Sequence, residues 1–232
     1  MKKITLILKS AFVLSLAISF GMLQDLQAAT LYYHKFEGAV ASPASATYSV
    51  APDTLSNRLS GSSWAISSNT WASGTGTAGN AILNTNNISS GTYTLTFSVA
   101  SGYSMDLSGF STWMRHSTNG PANCAIAINS TNVATYTNIT SATVGVTNSG
   151  TITGLTGLTG TVTVTLSLSN AASNGTFRID NFALYGTVNA LPQPLITSLS
   201  ASDVYSGTTI SINGSNFTGA NSVTIGGVAV GS

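Results

Sequence analysis

The sequence predicts an all-β protein built as an antiparallel sandwich, and two observations carry this. Apolar residues alternate with Thr and Ser at period two. In Gly91–Val99, Tyr93, Leu95, Phe97 and Val99 share one face, and Thr92, Thr94, Thr96 and Ser98 the other. The segments between such runs hold turn chemistry: Asn-Gly at 119–120, 174–175 and 213–214, and Ser-Gly elsewhere. These residues tolerate the positive φ that tight hairpins need. No stretch beyond residue 28 keeps a helical period.

Residues 1–28 read as a cleavable secretory leader. Lys2, Lys3 and Lys9 make a basic start, 11–23 is an apolar run, and Ala28 and Ala29 are the small residues of a cleavage site. The run is too short for a membrane span, and Gln24, Asp25 and Gln27 follow it closely. Removal of the leader takes Lys2, Lys3, Lys9 and Asp25 with it, so the net charge falls from +1 to −1. A chain with 6% charged residues has no electrostatic footprint for nucleic acid. It has no basic amphipathic stretch for a lipid surface, and no membrane insertion is expected after cleavage. Solubility then rests on Ser, Thr, Asn and Gly, as suits a secreted or surface protein.

Residues 29–187 form the expected large sandwich. Its first strand is 31–38, Leu-Tyr-Tyr-His-Lys-Phe-Glu-Gly, and its last is 175–187, Gly-Thr-Phe-Arg-Ile-Asp-Asn-Phe-Ala-Leu-Tyr-Gly-Thr. These two are expected to pair. Between them the alternation predicts strands at 80–83, 91–99, 110–116, 123–129, 132–137 and 160–168. Cys124, the single cysteine, shares a strand face with Ile126 and Ile128 and reads as a small buried residue. One cysteine makes no intramolecular disulfide. The Gly/Thr-rich segment 151–160 repeats Gly-Leu-Thr, but no longer repeat exists, which argues against a solenoid and against a Thr-faced ice-binding coil. Residues 188–194 contain Pro192 and Pro194 and read as a stiff linker. Residues 195–232 read as a second, incomplete domain.

No sequence motif for catalysis is present: no His-Glu-x-x-His, Cys-x-x-Cys, Gly-x-Ser-x-Gly or phosphate-cradling loop. Asp53 and Asp106 lack any local support as a glycosidase pair. The expectation is that these residues are not an enzyme. A sugar site wants exposed aromatic faces and a few polar side chains. The candidates are Trp64, Trp71, Tyr103 and Trp113, with Arg115 beside the last. Trp64 and Trp71 sit among Ser, Asn and Gly, so exposure is expected, and Trp113 shares strand parity with Arg115.

The segment 195–230 resembles an IPT/TIG domain, an immunoglobulin-like fold. The matching residues are Ile196-Thr197-Ser198, then Ser206-Gly-Thr-Thr-Ile-Ser-Ile-Asn-Gly-Ser-Asn-Phe217, then Val223-Thr-Ile-Gly-Gly-Val228. Ser200-Ala-Ser-Asp203 replaces the usual Pro-rich turn. About half of the family's domain is present, so the sequence is expected to be a fragment of a longer product. Residues 30–187 are similar to the jelly-roll sandwiches of secreted bacterial surface proteins and carbohydrate-binding modules, through Phe36-Glu37-Gly38 and Arg178-Ile-Asp-Asn-Phe182. That resemblance implies a structural calcium ion held by Glu37 and Asp180. It implies a non-catalytic module for adhesion or carbohydrate binding, with glycans or other surface proteins as partners. The alternatives are a structural stalk, or an accessory region of a longer secreted hydrolase.

Overall fold

The computed structural model describes residues 28–36, 47–67, 71–74, 81–84, 88–141, 145–200, 209–217, 223–225 and 228–230. The expected strand 31–38 therefore lies partly outside the described residues, as does the leader up to residue 27.

The period-two segments become strands. In chain order they are β1 (Ala29–His34), β2 (Thr47–Tyr48), β3 (Thr54–Leu55), β4 (Leu59–Ile66), β5 (Trp71–Gly74), β6 (Ala81–Asn84) and β7 (Gly91–Val99). They continue as β8 (Tyr103–His116), β9 (Pro121–Ile128), β10 (Thr131–Tyr136), β11 (Val146–Thr151), β12 (Thr161–Ala171) and β13 (Phe177–Ala190). The first sheet runs β11-β8-β13-β1-β3, with β6 also on β13 and β5 beside β6. The second runs β10-β9-β12-β7-β4-β2. Every pairing is antiparallel. The protein is an all-β antiparallel sandwich of the jelly-roll kind.

Alternation explains the second sheet directly. Tyr93, Leu95, Phe97 and Val99 of β7 and Val162, Val164, Leu166 and Leu168 of β12 are all buried between the sheets. Their register sets Thr96 opposite Thr163 and Thr94 opposite Thr165, so the hydroxyls form ladders on the outer face. Cys124, Ile126 and Ile128 of β9 are buried in the same core. Burial pushes the Cys124 thiol up to about 12, which suits a packing residue and not a nucleophile.

The first sheet owes its shape to three register shifts among the described residues, one on β1 at Leu31 and two between β8 and β13. β1 pairs with β13, as expected, from Ala29 opposite Gly186 to His34 opposite Phe182. On β8, Leu107 faces Gly186 while Gly109 faces Tyr185, so Ser108 is an extra residue. The inward set therefore switches from Met105 and Leu107 to Phe110 and Met114. On β13 the register slips between Asp180 and Ala183, where Asn181 takes a φ of 48°. Ile179 faces the core before the slip, and Phe182 and Leu184 after it. β13 runs on to Ala190, into the segment read as linker.

Beyond it, β14 (Leu195–Leu199) pairs with β15 (Ile212–Ser215), and β16 (Val223–Ile225) with β17 (Val228–Val230). Leu195, Ile196 and Leu199 are exposed.

His34 is a buried polar group with a fixed role. The Phe36 amide donates to Nδ1 at 2.9 Å, and Nε2 lies 3.3 Å from the Val50 carbonyl oxygen. The ring stacks on Phe36 at 4.2 Å. An Nδ1 that accepts a hydrogen bond carries no proton, so the ring is held neutral. Burial lowers its pKa below 6.5, against the opposing effects of the Val50 carbonyl and the Asp53 carboxylate. The unfolded chain then binds this proton more readily. The stabilising term is complete above about pH 6.5 and is lost as pH falls through the folded value. The melting midpoint is expected to drop from pH 7 to pH 5, with at most about 1.4 kcal/mol per pH unit from one proton. His34→Asn should flatten that slope, and an unchanged acid slope would remove His34 as its source.

Candidate functional site

The outer face of the first sheet carries an open groove whose floor follows from the alternation. Phe182 and Leu184 point inward, so Ala183 and Tyr185 point outward. In the register Tyr185 lies between Thr30 of β1 and Gly109 of β8. A Cβ on Gly109 would sit 3.8 Å from Cδ2 of Tyr185 and 3.1 Å from the Gly150 carbonyl oxygen. Tyr185 is half-buried, and Gly109, its cross-strand neighbour, sets no side chain beside the ring. The Tyr185 hydroxyl lies 3.0 Å from Oγ of Ser111, which fixes the tip of the ring.

β11 forms the far rim. Gly150 is required there, because a Cβ would fall 2.6 Å from Cε1 of Phe110. Phe110 in turn meets Tyr136 edge-on at 6.4 Å, and the Tyr136 hydroxyl donates to the Ser149 carbonyl at 3.0 Å. Core packing therefore sets the height of the rim. The groove, about 860 Å³ in volume, is lined by Thr30, Ser108, Gly109, Ser149, Thr151 and Tyr185, together with Ala29 and, until the leader is removed, Ala28, and by no charged side chain. Its chemistry is a phenol ring, hydroxyls and backbone, which suits a neutral polyhydroxylated ligand.

The three tryptophans offered as sugar platforms are corrected. Trp64 is 1% exposed. Its Nε1 donates to the Tyr32 hydroxyl at 2.8 Å, and its ring meets Phe182 edge-on at 5.1 Å. The reason is a bulge between Ser60 and Ser63, with Gly61 at a φ of 69°, which resets the alternation and turns Trp64 and Ile66 inward. Trp71 is equally buried, 5.0 Å from the Tyr93 ring. Trp113 does share the outer face with Arg115, but it is 4% exposed. The Gly145 backbone lies against its ring, where a Cβ would come within 2.3 Å. Tyr103 is half-buried, and the Arg58 guanidinium covers its ring at 4.4 Å from the centroid. Arg115 is half-buried on the outer face, opposite Arg178. The groove residues Tyr185 and Gly109 were absent from the candidates, although the parity of Phe182-Ala-Leu-Tyr185 contained the signal.

The carboxylates have structural work. Asp53 accepts from the Lys35 amide at 2.8 Å. Asp106 accepts from the Gly157 amide at 2.7 Å and from Nδ2 of Asn189 at 2.8 Å. Asp180 is 1% exposed, and its Oδ1 accepts the Asn181 amide at 2.9 Å. His116 sets its ring nitrogens 2.6 Å from the carbonyl oxygens of Ser117 and Ile139. Of the expected calcium pair, Glu37 lies outside the described residues. Asp180 can supply one carboxylate, and among the described residues no three His, Cys, Asp or Glu side chains form a metal group.

Comparison with family models and with characterised protein sequences returns no match, so the immunoglobulin-like reading of 195–232 rests on the residues quoted for it. Among solved structures, a family 35 carbohydrate binding module from an environmental isolate aligns at 19% identity and a TM-score of 0.34, over 59% of this chain and 93% of that one. A PA14 sugar-binding domain from an RTX adhesin aligns at 11% identity and a TM-score of 0.21, over 81% of this chain and 95% of that one. Neither likeness bears on the groove.

Proposed function

We propose that this chain is a non-catalytic, exported module that binds glycans through the Tyr185 groove. One observation carries the reading. An outward, half-buried aromatic ring, with a glycine as its cross-strand neighbour, lines a hydroxyl-bearing groove without a charged side chain. A pyranose ring presents an apolar C–H face for the phenol and hydroxyls for the Ser and Thr rim. Export is supported by the leader-like residues 1–28 and by the low charge of the chain. Among the described residues no helix is long and apolar enough to cross a membrane.

The test is calorimetric titration of the chain against a polysaccharide panel, with Tyr185→Ala beside it. Tyr185→Ala should weaken binding about tenfold or more while the melting midpoint stays near wild type. Binding that survives in Tyr185→Ala would remove the groove as the contact. A well-folded chain that binds no glycan would favour the stalk. Calcium is a separable part of the proposal. A midpoint that falls on chelation in wild type but not in Asp180→Asn would place it at Asp180, and one unmoved in wild type would remove it.

A further inference from the structure

Removal of the leader would bring into the groove a charge that no side chain supplies. Beyond residue 28 the cationic side chains other than histidine are Lys35, Arg58, Arg115 and Arg178, and none of them lines the groove. The lining does include Ala29, and the expected cut falls between Ala28 and Ala29. In the precursor the Ala29 nitrogen is a peptide amide. In the cut chain it is a primary amine, largely protonated at neutral pH.

The fold fixes where that nitrogen lies. Ala29 is the first residue of β1, in register with Gly186 of β13, and Thr30 follows opposite Tyr185. A terminus tied down in a sheet stays ordered, unlike most chain ends. Ala29 and Thr30 are both exposed, so a ligand in the groove can reach them. β3 pairs with β1 only at Tyr32 and Tyr33, further along the strand. Among the described residues the carboxylate nearest in register is Asp106, next to Leu107, which faces Gly186. Two strand spacings put it about 10 Å from Ala29, roughly one Debye length. Asp106 is engaged there by the Gly157 amide and by Nδ2 of Asn189. The phenol of Tyr185 is the one titratable side chain of the lining.

We propose that removal of the leader completes the site: the α-ammonium of Ala29 is an anion subsite in the Tyr185 groove, and the glycan taken there is an anionic one. This rests on the glycan-binding reading above and on the cut after residue 28. Neutral groups meet the sugar ring, and the ammonium meets a carboxylate or a sulfate ester carried on it. An ammonium is a compact point charge without the planar fork of a guanidinium, so it accepts either anion. The hydroxyl-bearing lining favours an anion on a sugar chain over one on an acidic peptide. A cut one residue later would set the ammonium on Thr30, in the same lining.

The experiment uses the full chain expressed with its leader and recovered after export. Mass spectrometry first fixes the N-terminus, expected at Ala29. The chain is then titrated with oligogalacturonate, sulfated oligogalactose, neutral oligogalactose of the same length and poly-glutamate. Each titration is repeated after pyridoxal phosphate has converted the α-amine to a ketone, a reaction that spares Lys35. Melting curves verify the fold of both forms. At about pH 6.5 the anionic sugars should bind about threefold to fivefold tighter than the neutral one, as an exposed ion pair allows. Added salt should narrow the gap. The gap should close as pH rises through about 8, where the amine loses its proton. Conversion to the ketone should close it at the lower pH, while the neutral sugar binds as before. An N-terminus other than Ala29 or Thr30 would overturn the proposal. Equal binding of charged and neutral sugars, or a preference that survives conversion, would overturn the ammonium subsite and leave the groove reading standing. Binding of no sugar would overturn both. Poly-glutamate binding as tight as oligogalacturonate, and lost on conversion, would overturn the glycan assignment in favour of an acidic peptide.

Discussion

Trp64→Ala should destabilise the sandwich by about 3–5 kcal/mol, the usual cost of deleting a large buried aromatic side chain. The indole sits in an aromatic group with Phe36 at 5.6 Å and Phe182 at 5.1 Å. Its loss opens a cavity between the sheets and takes away the donor that meets the Tyr32 hydroxyl. Burial already raises the pKa of that hydroxyl to about 12. Trp64→Phe keeps most of the apolar volume and should cost less. Urea unfolding of the two variants is the measurement. Wild-type stability in Trp64→Ala, together with lost glycan binding, would return Trp64 to the surface. The expected pattern is the reverse: lower stability, with binding lost only where the fold is lost.

Gly186→Ala should be as damaging, through the backbone. Gly186 lies at the slip between β13 and β8. A Cβ there would fall 2.0 Å from the Asp106 carbonyl oxygen and 3.1 Å from the Leu107 Cα. Backbone atoms cannot swing away as the end of a side chain can. β8 and β13 must separate locally, within the longest pairing among the described residues, which joins Phe177 with His116 at one end and Ala190 with Tyr103 at the other. The expected cost is above about 4 kcal/mol, or loss of soluble protein. Gly154→Ala is the control. It has open space around its Cβ and a φ of 79°, so only the left-handed backbone is penalised, by about 1 kcal/mol. Equal stabilities for the two variants would mean that the close approach at Gly186 is absent.

The strands were legible where alternation is unbroken. β7 and β12 show their inward faces in the sequence, because each holds one register across its length. β4 was hidden. Its extra residue near Gly61 shifts the phase, so Ser60, Gly61, Ser62 and Ser63 read as a polar loop and Trp64 as its exposed ornament. β11 was hidden for another reason: as an edge strand with Val146 exposed, it has little apolar content to alternate. The site was half-legible. Parity along Phe182-Ala-Leu-Tyr185 fixes the outward direction of Tyr185, but a single tyrosine is a weaker sign of a sugar platform than the three tryptophans. The groove itself was not legible. Gly109 opposite Tyr185 depends on the bulge at Ser108, and the rim depends on how Phe110 packs under Gly150. Both are properties of pairing between distant segments, which no local pattern records.

The most direct test of the account is to map where a bound oligosaccharide lies, by backbone amide chemical shifts on titration of the labelled chain. The expected perturbations gather at Thr30, Ser108, Gly109, Ser149, Thr151 and Tyr185, on the outer face of the first sheet. Perturbations confined to Thr92, Thr94 and Thr96 and to Thr161, Thr163 and Thr165, on the opposite sheet, would contradict it and move the binding surface to the threonine ladders.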